Sequence, residues 1–164
     1  MAITYEPIAT TTLGSAAASV TFSSISGSYT DLVLVIWGRT STGGGDVICQ
    51  FNSDTGSNYS WTRLSGDGSS AASSRSSNST NIRLTVAAYP DSTNATLVLA
   101  SINNYSNSTT YKTVLTRANQ TGQAAEAIVG LWRNTNAITS IVVTSTPNNF
   151  NSGATFTLYG IKAA

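Results

Sequence analysis

Asp31-Leu-Val-Leu-Val-Ile-Trp-Gly-Arg39 is the longest unbroken apolar run in the chain. From Leu32 to Trp37 neither face of a strand would be polar. A strand with one wet face alternates apolar and polar residues. A strand covered on both faces reads as a continuous run, so this segment belongs in the middle of a sheet. Its β-branched and aromatic residues favour a strand over a buried helix. It is far too short to cross a bilayer, which takes roughly 20 apolar residues.

Weaker, amphipathic segments flank it. Residues 18–22, 47–51, 59–64, 82–88, 95–105, 111–118, 126–133, 138–144 and 154–161 read as short strands bounded by Gly, Asn, Asp, Ser or Pro turns. About ten strands with turn signals every 8 to 12 residues or so predict an all-β sandwich or barrel. A jelly-roll-like two-sheet sandwich is preferred over an immunoglobulin-type one, whose paired cysteines need more than the single Cys49. Residues 121–128, with their alanines, are the one window that fits a helical turn. Residues 66–81 are Ser-rich and open on Gly66-Asp67-Gly68, which predicts a long mobile surface loop. At 164 residues the chain makes one domain. Residues 17–164 form the sandwich. Residues 1–16, broken by Pro7, form an extended N-terminal arm within which 8–13 have the makings of an edge strand.

Composition excludes several functions. Charged residues are 9% of the chain, against roughly 25% in an ordinary soluble domain. Ser, Thr and Asn replace them, at roughly two residues in five. The regular apolar runs make this a β-protein with a hydroxyl-rich outer face rather than a disordered tract. Net charge is +1 with no basic stripe, so nucleic acid is not an expected partner. Membrane insertion is not expected either. Residues 1–7 carry neither a basic n-region nor an apolar h-region, so synthesis in a reducing cytosol is expected. Cys49 shares a strand face with Val47 and Phe51 and reads as a small buried hydrophobe.

No histidine is present, which removes His-based triads, imidazole acid–base chemistry and His-ligated metals. The carboxylates sit mostly in turns, where Asp is a routine turn former. No catalytic residue, metal site or cofactor is assigned. Asn52-x-Asp54-x-Gly56-x-Asn58 faintly echoes a calcium loop but lacks its alternating acids and closing Glu, so a tight turn is the preferred reading. Six Asn-x-Ser/Thr sequons are accidents of this composition. Tyr59, Trp61 and Arg63 share one strand face. Either they grip a sugar ring or a neighbouring subunit, or they lie in the sandwich core with Arg63 at its rim.

Three blocks in order carry a resemblance. They are Phe22 with Tyr29-Thr-Asp-Leu-Val-Leu34, then Phe51-Asn-Ser-Asp-Thr-Gly-Ser-Asn-Tyr59, then Gly153-Ala-Thr-Phe-Thr-Leu-Tyr-Gly-Ile161. Together they resemble small structural proteins of tailed bacteriophages, especially those infecting cyanobacteria and other aquatic bacteria. The resemblance implies a β-sandwich component of the virion, on the capsid exterior or on tail fibres, made in the host bacterial cytoplasm. It brings no catalytic motif.

The expected function is therefore a non-enzymatic protein that decorates or cements the capsid surface, with the major capsid protein as partner. A tail-fibre module that binds a receptor or host-surface glycan is the alternative. It is disfavoured because a chain that opens on Met1 leaves no room for a stalk. A free carbohydrate-binding module or glycan hydrolase is a third reading, from another class. Tyr5 and Ile8 in the arm are expected to dock on a neighbouring chain or the shell by β-addition. A homotrimer is expected by analogy with three-fold lattice positions, with outward aromatics at the interface and Trp132, beside Arg133, as the leading contact.

Overall fold

The computed structural model describes residues 4–162. Among them are twelve strands and no helix. They are β1 (Tyr5–Thr12), β2 (Ser19–Phe22), β3 (Asp31–Gly38), β4 (Asp46–Phe51), β5 (Tyr59–Gly66) and β6 (Ala71–Ser79). The remainder are β7 (Ile82–Arg83), β8 (Thr96–Asn103), β9 (Lys112–Gln120), β10 (Ala124–Trp132), β11 (Ile141–Thr146) and β12 (Thr155–Ile161). Every pairing is antiparallel. The strands form an eight-stranded sheet, in the order β1-β12-β3-β8-β9-β10-β5-β6, and a four-stranded sheet, in the order β2-β11-β4-β7. This is the expected two-sheet sandwich, with the strands divided unevenly.

Alternation decides which residues fill it. Leu32, Leu34 and Ile36 of β3, Val98, Ala100 and Ile102 of β8, and Phe156 and Leu158 of β12 turn inward. They share one core with Val20, Phe22, Val47, Phe51, Ile141 and Val143 of the small sheet. Cys49 belongs to that core, and burial pushes its thiol up to about 12. β3 lies inside the sheet between β12 and β8, as its composition predicts. Its second face is not under another layer, however. Val33 is shielded by its neighbours in the sheet, while Trp37 is 54% exposed.

Four expectations are corrected. Residues 66–81 are not a mobile loop: β6 pairs with β5 from Gly66↔Ala71 to Tyr59↔Ser79. The Asp67 carboxylate caps the connecting turn by accepting the Ser69 and Ser70 N–H groups, which hold it well below the usual carboxylate range. β6 is a strand because of its ladder, not because of burial, so hydrophobic pattern could not announce it. Residues 82–88 are strand only at Ile82–Arg83. Beyond them, the N–H groups of Val86, Ala87 and Ala88 turn to the Glu126 carboxylate at 2.9, 3.0 and 3.1 Å instead of to a ladder. The alanine window around 121–128 holds a turn and the start of β10, not a helical turn.

Finally, β1 pairs with β12 from Tyr5↔Ile161 to Thr12↔Thr155. Residues 5–12 are thus the edge strand of their own sheet and not an arm reaching for a neighbour. Ile8 sits at a bulge between Pro7 and Ala9 and packs against the core, and Tyr5 makes an edge-to-face contact with Tyr159 at 6.3 Å. The arm's residues 1–3 lie outside the described residues.

Candidate functional site

Filling the core with one face of the large sheet leaves the other face to be explained. Inward Leu32, Leu34 and Ile36 place Val33, Val35 and Trp37 outward. Registers carry this across the sheet in rows. One row runs Thr157–Val35–Leu99–Arg117–Ala127–Leu64–Ser73. The row on one side is Trp37–Leu97–Asn119–Ala125–Gly66–Ala71, and on the other Val33–Ser101–Leu115–Val129–Thr62–Arg75. Leu64, Trp37, Val129, Leu115 and Leu97 are 65%, 54%, 53%, 48% and 39% exposed. Single exposed apolar residues are normal, but a contiguous set marks a contact surface. The middle of the face sinks into an open depression of about 1040 Å³, floored by Gly66, Ala71, Ala125 and Ala127 and walled by Leu64, Leu97 and Leu99. Arg117 is the cation within it.

The sequence-predicted site residues lie elsewhere and fall into separate groups. Tyr59, Trp61 and Arg63 share one face of β5, and it is the inner face. Tyr59 is fully buried. Its hydroxyl donates to the Asp54 carbonyl at 3.0 Å and accepts from the Phe51 N–H at 3.0 Å, and burial pushes its pKa up. The core reading holds for this residue.

Trp61 and Arg63 sit where β5 runs past the small sheet. The Arg83 guanidinium lies 5.5 Å from the Trp61 ring centroid and pairs with Asp46. Burial pushes the Asp46 carboxyl above its usual range despite Arg83. The Arg63 Nε is buried without a hydrogen-bond partner.

Trp132 is fully buried, which overturns its assignment as an outward contact of a homotrimer. Its ring stacks on Tyr59 at 6.2 Å and lies 5.5 Å from Phe51. Its indole N–H donates to Asp54 Oδ2 at 2.7 Å. Asn58 Nδ2 and the Gly56 N–H also reach the Asp54 carboxylate, so the would-be calcium loop is a turn whose acid is occupied internally. Burial raises the Asp54 carboxyl, but the donors from Trp132, Asn58 and Gly56 outweigh it and hold the pKa below its usual value. Arg133 donates to the Ser57 carbonyl and to Asn78 Oδ1, tying the rim of the sheet to the end of β6. Tyr5 and Ile8 stand on β1, at the opposite edge of the large sheet from β5 and β6.

The remaining acids are similarly engaged. Glu6 pairs with Lys162, Asp31 accepts the Asn104 N–H, and Asp91 caps the Thr93 and Asn94 N–H groups. With Asp46, Asp54, Asp67 and Glu126 this accounts for all 7 acidic side chains in the chain. A second, polar groove of about 840 Å³ lies by the Gly43-Gly44-Gly45 loop and is lined by Arg83, Tyr89, Asp91 and Gln123.

The outer face was missed by sequence reading because each strand was judged alone. Its signal is present in 97–99, 115 and 129, where apolar residues occur on both strand faces with no second layer to bury them. Fold and surface together define an all-β sandwich presenting one broad apolar sheet face. No family model, curated protein or solved structure compared with the chain matches it.

Proposed function

We propose that the protein is a non-enzymatic component of a tailed-phage virion, seated on the capsid exterior through the outer face of its eight-stranded sheet. The observation that carries this reading is that face: contiguous, apolar and half-exposed from Trp37 to Leu64. The resemblance of three sequence blocks to phage structural proteins supplies the class. The internal use of every carboxylate supports a structural role over acid–base chemistry. A hydroxyl-rich surface with little charge suits repeated display on a particle without strong fields.

The test is location. Immunogold labelling and protein quantitation on purified particles are expected to give hundreds of copies spread over the shell. A handful confined to the tail would overturn the reading in favour of a receptor-binding module. The polar groove at Tyr89 is the observation that favours this second reading, since an aromatic ring among amides and charges is suited to a sugar. Glycan-array binding lost in Tyr89→Ala would establish it.

A further inference from the structure

Arg117 is the feature of the outer face that its apolar character does not explain. It stands in the middle row, between Leu99 on one side and Ala127 on the other. It has no hydrogen-bond or ion-pair partner among the described residues. The acids nearest the depression are engaged elsewhere: Glu126 turns inward to Val86, Ala87 and Ala88, and Asp67, next to Gly66, accepts the Ser69 and Ser70 N–H groups of its own turn. Asp31, at the rim, is occupied by the Asn104 N–H. The other cation on the face is Arg75. Covering this surface with something purely apolar would strip water from an unpaired guanidinium, which is costly.

Charge narrows the occupant. A second copy of the chain is a poor occupant, because a two-fold axis through the depression sets Arg117 facing another Arg117 with no acid between them. A small amphiphile would stay half wet in an open depression, whereas ligand pockets bury most of their guest.

We infer that the outer face takes an apolar polypeptide segment of its shell partner, and that this segment carries a carboxylate which pairs bidentately with Arg117. The inference rests on the reading of this face as the attachment surface. Leu64, Leu97 and Leu99 grip the apolar side chains. Gly66, Ala71 and Ala127 let the segment's backbone approach, and Arg117 fixes its register through a fork geometry that only a carboxylate or phosphate matches.

The probe is a random twelve-residue peptide library, selected in parallel on wild-type protein, Arg117→Glu and Leu64→Lys. Circular dichroism checks that each variant is folded. Wild-type protein is expected to enrich apolar peptides bearing one Asp or Glu. Arg117→Glu should replace that acid with Lys or Arg and weaken the wild-type peptides at least tenfold. Leu64→Lys should recover neither set.

Peptides without acid enrichment, or binding that Arg117→Glu changes less than twofold, would overturn the inference. So would light scattering that gives a dimer of the 17.0 kDa chain dissociated by Leu64→Lys, since a second copy would then hold the face. The two readings fail separately. A tail location with acid-dependent peptide binding intact overturns the shell but leaves the Arg117 pairing standing, and a shell location with acid-independent binding does the reverse.

Discussion

Trp132→Phe is expected to cost the fold about 3 kcal/mol and to leave surface binding untouched. The indole N–H is 2.7 Å from Asp54 Oδ2, and a hydrogen bond to a charged acceptor contributes ~1.5–3 kcal/mol. Phenyl also lacks about three ring atoms in a site with no exposure, which at ~0.8 kcal/mol per buried methylene plus a small cavity adds roughly 2 kcal/mol. Asp54 is only half-buried, so water replaces part of the lost bond and cuts its contribution to about 1 kcal/mol, which brings the sum to about 3 kcal/mol. Urea unfolding followed by far-ultraviolet circular dichroism reads the change as a midpoint lower by ~1–2 M at unchanged slope. Asp54→Ala should remove the same bond, so the double variant should cost less than the sum of the two singles. A loss under about 1 kcal/mol, or altered mass or peptide binding at full stability, would refute the placement of Trp132 as a core anchor.

Three further outcomes follow from particular contacts. Glu126→Gln removes one of two oxygens that accept three backbone N–H groups, so ~1–3 kcal/mol should be lost; hydrogen exchange at Val86, Ala87 and Ala88 should quicken at least tenfold. Gly130→Ala places a Cβ 2.5 Å from Ile82 Cγ2, and overpacking of this kind costs ~1–3 kcal/mol in thermal melts, with partial recovery in Gly130→Ala/Ile82→Val.

The last outcome concerns acid. Asp54, Asp67 and Asp91 are held below their usual values by hydrogen bonds, so the unfolded chain takes up protons first. Their stabilisation is full above the unfolded carboxyl range near ~4 and is lost as pH falls through it towards the folded values. Asp46, raised by burial, works in the opposite direction and blunts the fall. With no histidine to titrate, melting temperature should stay level from about pH 5 to 8. A step inside that window would count against this assignment.

Legibility in the sequence tracked burial. The 32–37 run announced a strand inside a sheet because a continuous apolar stretch has few other uses, and Cys49 was legible through Val47 and Phe51 on its own face. Residues 71–79 were illegible for the converse reason: a strand made of serines at a sheet edge buries almost nothing, so only its partner β5 defines it. Trp132 misled because polar residues follow it in sequence. Its true surroundings come from Asp54, Phe51 and Tyr59, far off in the chain. The outer face needed registers, since Leu64, Val129, Leu115 and Leu97 become a surface only when four strands are laid side by side.

β3 pairs with β8 and β12, the second of which ends the sheet's chain order in sequence. During synthesis the most apolar strand of the protein is therefore made early and both its partners later. At roughly 5–20 residues per second, the gap between β3 and β12 corresponds to a wait on the order of 10 s. Until β8 emerges midway through that interval, Leu32 to Trp37 has no ladder to join, and it has the low charge and β-branched content of an aggregation-prone segment. Asp31 and Arg39 bracket it with opposite charges, which places gatekeepers at both ends of the stretch while the nascent chain is incomplete. The same topology makes the finished sheet close last where β1 comes to lie on β12. Completion of this sheet is thus tied to the emergence of β12 rather than to that of β3.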